Sequence, residues 1–111
     1  MPRRSEASVV KGLLKCLNSL NGCYAKKRHG GPNRRGEPDI TGCYRGRRIE
    51  IEAKALGNKA TKLQKERLNI WKNCGSITGI AYDEEDLWII MKDFISIRDK
   101  RIFQNILLNG K

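Results

Sequence analysis

The fold of this chain follows from one segment, PDITGCYRGRRIEIEAK, which spans residues 38–54. Apolar and polar residues alternate on both sides of Arg45-Gly46, which predicts two β-strands joined by a tight turn. A two-residue loop at Arg45-Gly46 and a four-residue loop centred on it give the same antiparallel register. In that register Asp39 lies opposite Glu52, whereas a three-residue bulged loop would shift the pairing.

Two carboxylates are therefore predicted to lie side by side. Directly opposed residues of an antiparallel pair hold their Cβ atoms about 5 Å apart on one face, and opposed like charges destabilise a sheet. Such an arrangement favours a compensating group between Asp39 and Glu52, for which a divalent cation is the natural candidate. Lys54 lies on the same face, because side chains alternate along a strand. The plainer alternatives are a turn role for Asp39 and an ordinary charged strand face for Glu52 and Lys54.

The opposite face of the predicted hairpin is apolar and suited to packing against a core. It carries Ile40, Gly42, Tyr44, Ile49, Ile51, Ala53 and Ala55. A slip of one residue would turn this set outward, so burial of the apolar face also selects the register.

Bulk composition indicates one domain with a polyanionic partner. The 111 residues carry a formal net charge of +11, which favours nucleic acid, although a solvated basic surface or a ribosome-like structural protein would also account for it. The sequence contains neither a membrane-spanning run nor a signal peptide, so we expect no membrane partner and a cytoplasmic location in a bacterium or a phage-infected host cell. Its four cysteines form no Cys-x-x-Cys pair, which favours free thiols over a zinc site.

Helical and extended patterns alternate along the rest of the chain. The predicted elements before the hairpin are a helix capped by Ser5, a strand over Cys23–Lys27 and a loop over 28–36. After the hairpin, the capping box Thr61-Lys62-Leu63-Gln64 opens a second helix, whose apolar stripe is formed by Leu63, Ile70, Trp71 and Cys74. A strand over 76–82 and a helix from Asp83 to Phe94 follow. The segment 94–98 suits a strand or a helix, and the residues after it form a helical tail. We expect an α/β fold with a mixed sheet in α-β-β-β-α-β order, flanked by helices.

Several of these features resemble the PD-(D/E)xK nuclease superfamily, whose core has the same order of elements. The matching residues are Glu6 in the first helix, the tetrapeptide Gly36-Glu37-Pro38-Asp39, the strand Ile51-Glu52-Ala53-Lys54, Thr61 and Gln64 at the next helix start, and Gly75 before the last strand. More narrowly, the chain is similar to stand-alone virus-type replication-repair nuclease (VRR-NUC) domains. The resemblance covers about residues 5–90 of a single nuclease domain, 1–111, and leaves a C-terminal extension, about 91–111, outside it.

The resemblance implies a magnesium-dependent, structure-specific DNA endonuclease, with Mn²⁺ as a substitute metal. Relatives of this type act on branched DNA such as four-way (Holliday) junctions, and larger relatives act in DNA repair. The implied metal ligands are Glu6, Asp39, Glu52 and the Ala53 backbone carbonyl. The implied catalytic residues are Asp39, Glu52, Lys54 and Gln64, with Lys54 stabilising charge that develops at phosphorus.

Two of these assignments have structural alternatives, and one further acidic residue competes with Glu52. Glu6 suits the first turn of a helix by its charge alone. Gln64 is also the partner of Thr61 in a capping box. Glu50 lies on the same strand face as Glu52 and is either an alternative ligand or an ion-pair partner of an arginine.

A basic loop leads into Asp39 and is predicted to hold the phosphate backbone of DNA. The predicted DNA-binding residues are Lys26, Lys27, Arg28, Arg34, Arg35 and Lys62, with Lys59 and Lys65 as a possible extension of the track. For each of them a solvated surface position is the alternative. His29 is read as a loop residue rather than a DNA contact.

A single site cuts one strand, so symmetric cutting of a junction requires two copies of the chain. The apolar segment Phe94–Leu108 is predicted to form a homodimer surface, or else to cap the core. Two other functions compete with a structure-specific endonuclease. One is a non-catalytic nucleic-acid-binding module on a nuclease-like fold, and the other is a sequence-specific restriction-type nuclease.

Overall fold

The structure, a computed structural model, describes residues 3–30 and 35–109. Its elements are α1 (Glu6–Asn18), β1 (Cys23–Lys27), β2 (Ile40–Tyr44), β3 (Arg47–Ala53), α2 (Lys62–Asn73), β4 (Ile77–Ala81), α3 (Glu84–Met91) and α4 (Ile97–Asn109). The strands form one four-stranded sheet in the order β1-β2-β3-β4. β1, β2 and β3 are antiparallel neighbours, whereas β4 runs parallel to β3 after the α2 crossover. The predicted α/β fold with a mixed sheet is confirmed.

The β2–β3 hairpin has the predicted register, with Ile40 opposite Ile51 and Tyr44 opposite Arg47. Its loop is the two-residue alternative. Arg45 has φ +46° and Gly46 has φ +87°, so both loop residues take the left-handed conformation that matches the right-handed twist of the strands.

Helices cover both faces of the sheet. α1, α3 and α4 pack on the apolar face and bury Ile49, Ile51 and Ile77 together with Leu13 and Phe103 in one core. α2 lies against β3 and β4 on the opposite face, so the polar residues of β3 are covered as well. Over residues 3–30 and 35–109, no helix is long and apolar enough to cross a membrane.

The predicted helix starts are confirmed. The side chain of Ser5 accepts a hydrogen bond from the Ser8 N–H, and that of Asp83 accepts one from the Asp86 N–H. Thr61 and Gln64 form a reciprocal capping box at the start of α2. These contacts satisfy backbone N–H groups that have no partner within the helix.

One sequence-based boundary and one packing expectation were wrong. α3 ends at Met91 rather than Phe94, and helical structure resumes at Ile97. Ile70 and Cys74 do not form a buried stripe on α2, because Ile70 is 52% exposed and Cys74 is exposed. Leu68, which the pattern did not single out, is the buried apolar residue of that helix.

The C-terminal helix caps the core on one side and leaves apolar residues exposed on the other. Phe103 is fully buried and its ring contacts Trp88 edge to face, with centroids 5.5 Å apart. Ile97 and Leu108 are 71% and 80% exposed, and their spacing along the helix puts them on the same face. Core capping is therefore confirmed, while dimer formation through the outer face stays a prediction.

A buried carboxylate ties α4 to the turn end of the hairpin. Asp99 accepts hydrogen bonds from the Tyr44 hydroxyl at 2.5 Å, the Asn21 backbone N–H at 2.9 Å and the Ser96 hydroxyl at 3.0 Å. Burial alone would raise the pKa of Asp99, but these donors outweigh it and hold the pKa below its ordinary value of 3.8. The charged form of Asp99 therefore stabilises the folded chain.

We expect Asp99→Asn to lower the free energy of unfolding at pH 7 by about 2 kcal/mol, because an amide cannot accept all of these hydrogen bonds. The contribution of Asp99 is present above its unfolded pKa and is lost as the pH falls below about 3.8, through the lower folded pKa. Urea denaturation of wild type and variant at pH 7 and at pH 3 measures both effects. Asp93→Asn, the same change at an exposed position, is the control, and an equal loss in both variants would contradict the role of Asp99.

Candidate active site

The residues of the predicted site meet where β2 begins and β3 ends. Asp39 immediately precedes β2, so continuing the observed register by one residue places it opposite Glu52. The Asp39 carboxylate also accepts a hydrogen bond from the Ala53 backbone N–H, with Oδ2 at 3.2 Å from the nitrogen. The predicted juxtaposition of Asp39 and Glu52 is therefore present.

Glu52 is buried without hydrogen-bond partners. The residue is 1% exposed, and neither of its carboxylate oxygens has a hydrogen-bond partner in the described ranges, 3–30 and 35–109. Burial raises the pKa of Glu52 to about 7, and the neighbouring negative charge of Asp39 contributes to the same shift. Positive charge from Lys54 opposes the shift but does not cancel it.

Lys54 lies between the acidic side chains of the site. Its Nζ atom is 3.4 Å from Oε2 of Glu52 and 3.8 Å from Oε1 of Glu6. The contact with Glu52 is a long ion pair. Lys54 is only 8% exposed, so its ammonium group is held within the site rather than extended into solvent.

An open cleft of about 410 Å³ lies beside these residues. Glu6 of α1 and Asp39 both line it, and Lys27 at the end of β1 contributes positive charge to its wall. Glu6 is thus brought to the same cleft as Asp39, as the resemblance to PD-(D/E)xK nucleases implied. Arg28 also lines the cleft, so an anionic ligand there would meet two basic side chains and two carboxylates together.

Glu50 belongs to the protein's internal ion pairs. Its buried carboxylate accepts hydrogen bonds from the Arg28 guanidinium, from the Thr41 hydroxyl at 2.5 Å and from Arg48 Nε at 2.9 Å. The ion-pair alternative for Glu50 is therefore confirmed. None of the residues that the structure describes donates a hydrogen bond to the neighbouring Glu52.

The chemistry of the donor set fits a hard divalent cation, although its geometry is not that of a closed metal cluster. Asp39, Glu52 and Glu6 supply carboxylate oxygens, the ligands that Mg²⁺ prefers. Over residues 3–30 and 35–109, no three His, Cys, Asp or Glu side chains lie close enough to hold a metal by themselves. The observation that fits a bound cation is that the Glu52 carboxylate accepts no hydrogen bond from the described residues and has only the ion pair with Lys54. The Ala53 carbonyl, at the end of β3, is a further oxygen at this position in the chain.

Gln64 forms the capping box that was its structural alternative. Its Oε1 atom accepts a hydrogen bond from the Thr61 N–H at 2.8 Å. The side chain is committed to the helix start in this conformation, and its catalytic role stays a prediction.

The predicted DNA-binding residues divide into exposed and inward-facing positions. Lys26, Lys27, Arg35 and Lys62 are exposed, whereas Arg28 is turned toward Glu50 and Trp71, and Arg34 lies outside the described residues. A phosphate contact for Arg28 stays a prediction. The sequence analysis foresaw an arginine as an ion-pair partner of Glu50 but did not identify Arg28 as that arginine.

Comparison of the chain with protein-family models, with curated proteins and with solved structures finds no match to any of them. The assignment of function therefore rests on the residues of the site and on their geometry.

The buried charge of Glu52 gives the metal-free protein a specific pH dependence. Because the folded pKa is about 7 and the ordinary value is 4.5, the folded chain binds more protons than the unfolded chain between these values. Stability should therefore fall as the pH rises through this window, by about 2 kcal/mol between pH 5 and pH 8.

Glu52→Gln mimics the protonated carboxyl group and should remove this pH dependence. In EDTA we expect the variant to match wild type near pH 5 and to exceed its free energy of unfolding by about 2 kcal/mol at pH 8. Chemical denaturation across this pH range measures the difference. A variant that keeps the wild-type slope would show that another group is responsible.

Proposed function

We propose that this chain is a metal-dependent DNA endonuclease of the VRR-NUC type within the PD-(D/E)xK superfamily. The observation that carries the proposal is the contrast among three buried carboxylates. Asp99 and Glu50 each accept at least three hydrogen bonds, whereas Glu52 accepts none from the described residues and lies beside Asp39. Burial of an unsatisfied carboxylate is unfavourable, so its presence at this one point supports a ligand role.

The fold supports the same assignment at the level of topology. α1, β1, β2, β3, α2 and β4 follow one another in the order expected of a PD-(D/E)xK core, and the mixed sheet places β4 parallel to β3. Many unrelated functions share a fold, so this agreement supports the proposal only together with the site.

The metal would be held by Asp39 and Glu52, with Glu6 as a direct or water-mediated ligand and the Ala53 carbonyl as a further oxygen. A bound Mg²⁺ or Mn²⁺ supplies an activated water and relief of charge at the phosphorus and at the leaving oxygen. Glu52 would bind the cation as a carboxylate, so binding would release the proton that burial favours in the metal-free chain.

Lys54 is placed to stabilise negative charge that develops on the phosphate. Its ammonium group lies between Glu52 and Glu6 and is shielded from water, where a charge acts more strongly than on the surface. Because the lysine stem is flexible, the ammonium group can move from the carboxylates toward a phosphate when a cation takes its place.

The substrate class follows from the charge of the molecule. A net charge of +11 favours a polyanion, and Lys27 lines the same cleft as Asp39. Lys26, Arg35 and Lys62 are exposed and available for the phosphate backbone. Contacts of this kind select backbone geometry rather than base sequence, which favours structure-specific cutting over restriction-type recognition.

Branched DNA, such as a four-way junction, is the substrate that best combines these features with a homodimer. One chain carries one site, and paired cuts at a junction need two sites related by symmetry. The exposed face of α4, with Ile97 and Leu108, offers an apolar surface outside the nuclease core for this contact.

A non-catalytic nucleic-acid-binding module is the second candidate. It is favoured by the position of Lys54, whose ammonium group lies between Glu52 and Glu6 where a cation would otherwise lie. Binding of branched DNA without cleavage under every metal condition would select this function.

Cleavage of labelled DNA tests the nuclease directly. The panel holds linear duplex, single strand, flap, splayed arm and four-way junction, each with Mg²⁺, Mn²⁺ or EDTA. We expect metal-dependent cutting that is strongest on the junction and falls about a hundredfold or more in Asp39→Asn, because the amide is a poorer ligand.

Asp93→Asn is the matched control, since it makes the same chemical change at an exposed position away from the cleft. Wild-type rates in Asp39→Asn would overturn the proposal. Lys54→Met separates the two roles at the site, and we expect it to keep Mn²⁺ binding while losing cleavage.

The dimer is tested by Ile97→Asp combined with Leu108→Asp. These substitutions place charges on the outer face of α4 without touching the buried Phe103, so the fold should persist. We expect a monomer by analytical ultracentrifugation that nicks junctions singly instead of cutting them in pairs. A wild-type chain that is already monomeric at micromolar concentration would contradict this part of the proposal.

A further inference from the structure

We propose that Glu50 is a positioning residue that sets the Asp39 carboxylate through Arg28. The inference deepens the proposed nuclease function and rests on it wherever metal affinity is concerned. The effect of Glu50 on the position of Asp39 concerns the conformation of the chain alone, so it can be measured without metal.

Glu50 is equipped to hold Arg28 rather than to bind a ligand. It is fully buried in the middle of β3, and its oxygens accept hydrogen bonds from Arg28, Thr41 and Arg48. These donors occupy the carboxylate with protein contacts. A carboxylate that accepts hydrogen bonds from three side chains also fixes the orientation of those side chains.

Arg28 connects Glu50 to Pro38 and Asp39, the two residues that precede β2 at the site. Its Nε atom donates to the Pro38 carbonyl at 2.9 Å, and its backbone N–H donates to the Asp39 carbonyl at 2.6 Å. Arg28 thus contacts Glu50 through the end of its guanidinium group. The same residue contacts Pro38 through Nε and Asp39 through its main chain. The planar, forked guanidinium is suited to such a double contact.

The position of Asp39 explains why such a support is needed. Regular pairing between β1 and β2 ends at Lys27 and Ile40, so Asp39 lies just beyond the ladder. The Arg28–Asp39 backbone contact extends the ladder by one residue, and the Ala53 N–H fixes the side chain at its other end. Ligand carboxylates that are oriented by surrounding hydrogen bonds bind metals more tightly than those that are free to rotate.

A residue of α2 makes a further contact with the segment that precedes Asp39. Trp71 donates from Nε1 to Oε1 of Glu37 at 3.0 Å. Its ring also packs against the guanidinium groups of Arg48 and Arg28, at 4.4 and 5.7 Å from the ring centroid. The layer between α2 and β3 therefore supports the peptide that precedes Asp39 from two sides.

Two substitutions test the proposal. Glu50→Gln keeps the shape of the side chain but weakens its hold on Arg28. In Arg28→Lys the single ammonium can pair with Glu50 but cannot also reproduce the Nε contact with Pro38. We expect both variants to bind Mn²⁺ about tenfold more weakly than wild type by calorimetry, measured without DNA.

A spectroscopic readout without metal isolates the positional role. The amide resonances of Ala53, which donates to the Asp39 side chain, and of Arg28, which donates to its carbonyl, should shift in Glu50→Gln and exchange faster with solvent. Asp99→Asn is the matched control, because it also removes a buried, hydrogen-bonded carboxylate but lies at the turn end of the hairpin. The control should lose stability while both amides and the Mn²⁺ affinity keep their wild-type values.

The outcomes separate the inference from the function. Shifted amides with weakened Mn²⁺ binding in Glu50→Gln, but not in Asp99→Asn, support it. Unchanged amides in Glu50→Gln, or an equal loss of Mn²⁺ affinity in the control, overturn it. If wild type neither binds Mn²⁺ nor cleaves DNA, the proposed function fails, and the amide comparison alone decides whether Glu50 positions Asp39.

Discussion

The opposition of Asp39 and Glu52 across the β2–β3 hairpin is the constraint on which the remaining structure of the site depends. The left-handed two-residue turn at Arg45-Gly46 sets this opposition, and a loop with one more residue would shift the pairing and move the carboxylates apart. Burial of Ile49 and Ile51 on the other face enforces the same register. The packing of the core thus holds the two carboxylates together although they repel each other, and Lys54 offsets only part of that repulsion.

The buried carboxylates of the protein have two kinds of surroundings. Glu50 and Asp99 are surrounded by donors, so their charges are stabilised and they link separate elements of the fold. Glu52 lies on the same strand as Glu50 but is left with an ion pair to Lys54 and a raised pKa of about 7. Glu52 is therefore destabilised locally, whereas the comparable carboxylates of Glu50 and Asp99 have hydrogen-bond donors. Such a contrast is typical of a ligand site, where residues are arranged for binding rather than for stability.

Lys54 and Arg28 show how the basic residues contribute beyond their net charge. Lys54 places its ammonium group among the acids of the site, where it offsets part of their repulsion in the metal-free chain. Arg28 contacts Glu50 and the backbone at Pro38 and Asp39 together, so it belongs to the framework of the site as well as to its basic rim. Positive charge near the cleft is therefore partly structural.

Much of this structure was determined by the sequence alone, because it depends on local patterns. Alternation along 38–54 specified the hairpin, its register and the meeting of Asp39 with Glu52. The caps at Ser5, Thr61 and Asp83 specified where helices begin, since a cap requires only a few neighbouring residues.

Only the tertiary structure decided what depends on contacts between distant segments. The burial of Leu68 in place of Ile70, the start of α4 at Ile97 and the pairing of Glu50 with Arg28 are set by which surfaces meet after folding. The same holds for the difference between Glu50 and Glu52. Both have the same residue type and the same strand face, but Arg28, Thr41 and Arg48 donate hydrogen bonds to Glu50, whereas no described residue donates one to Glu52.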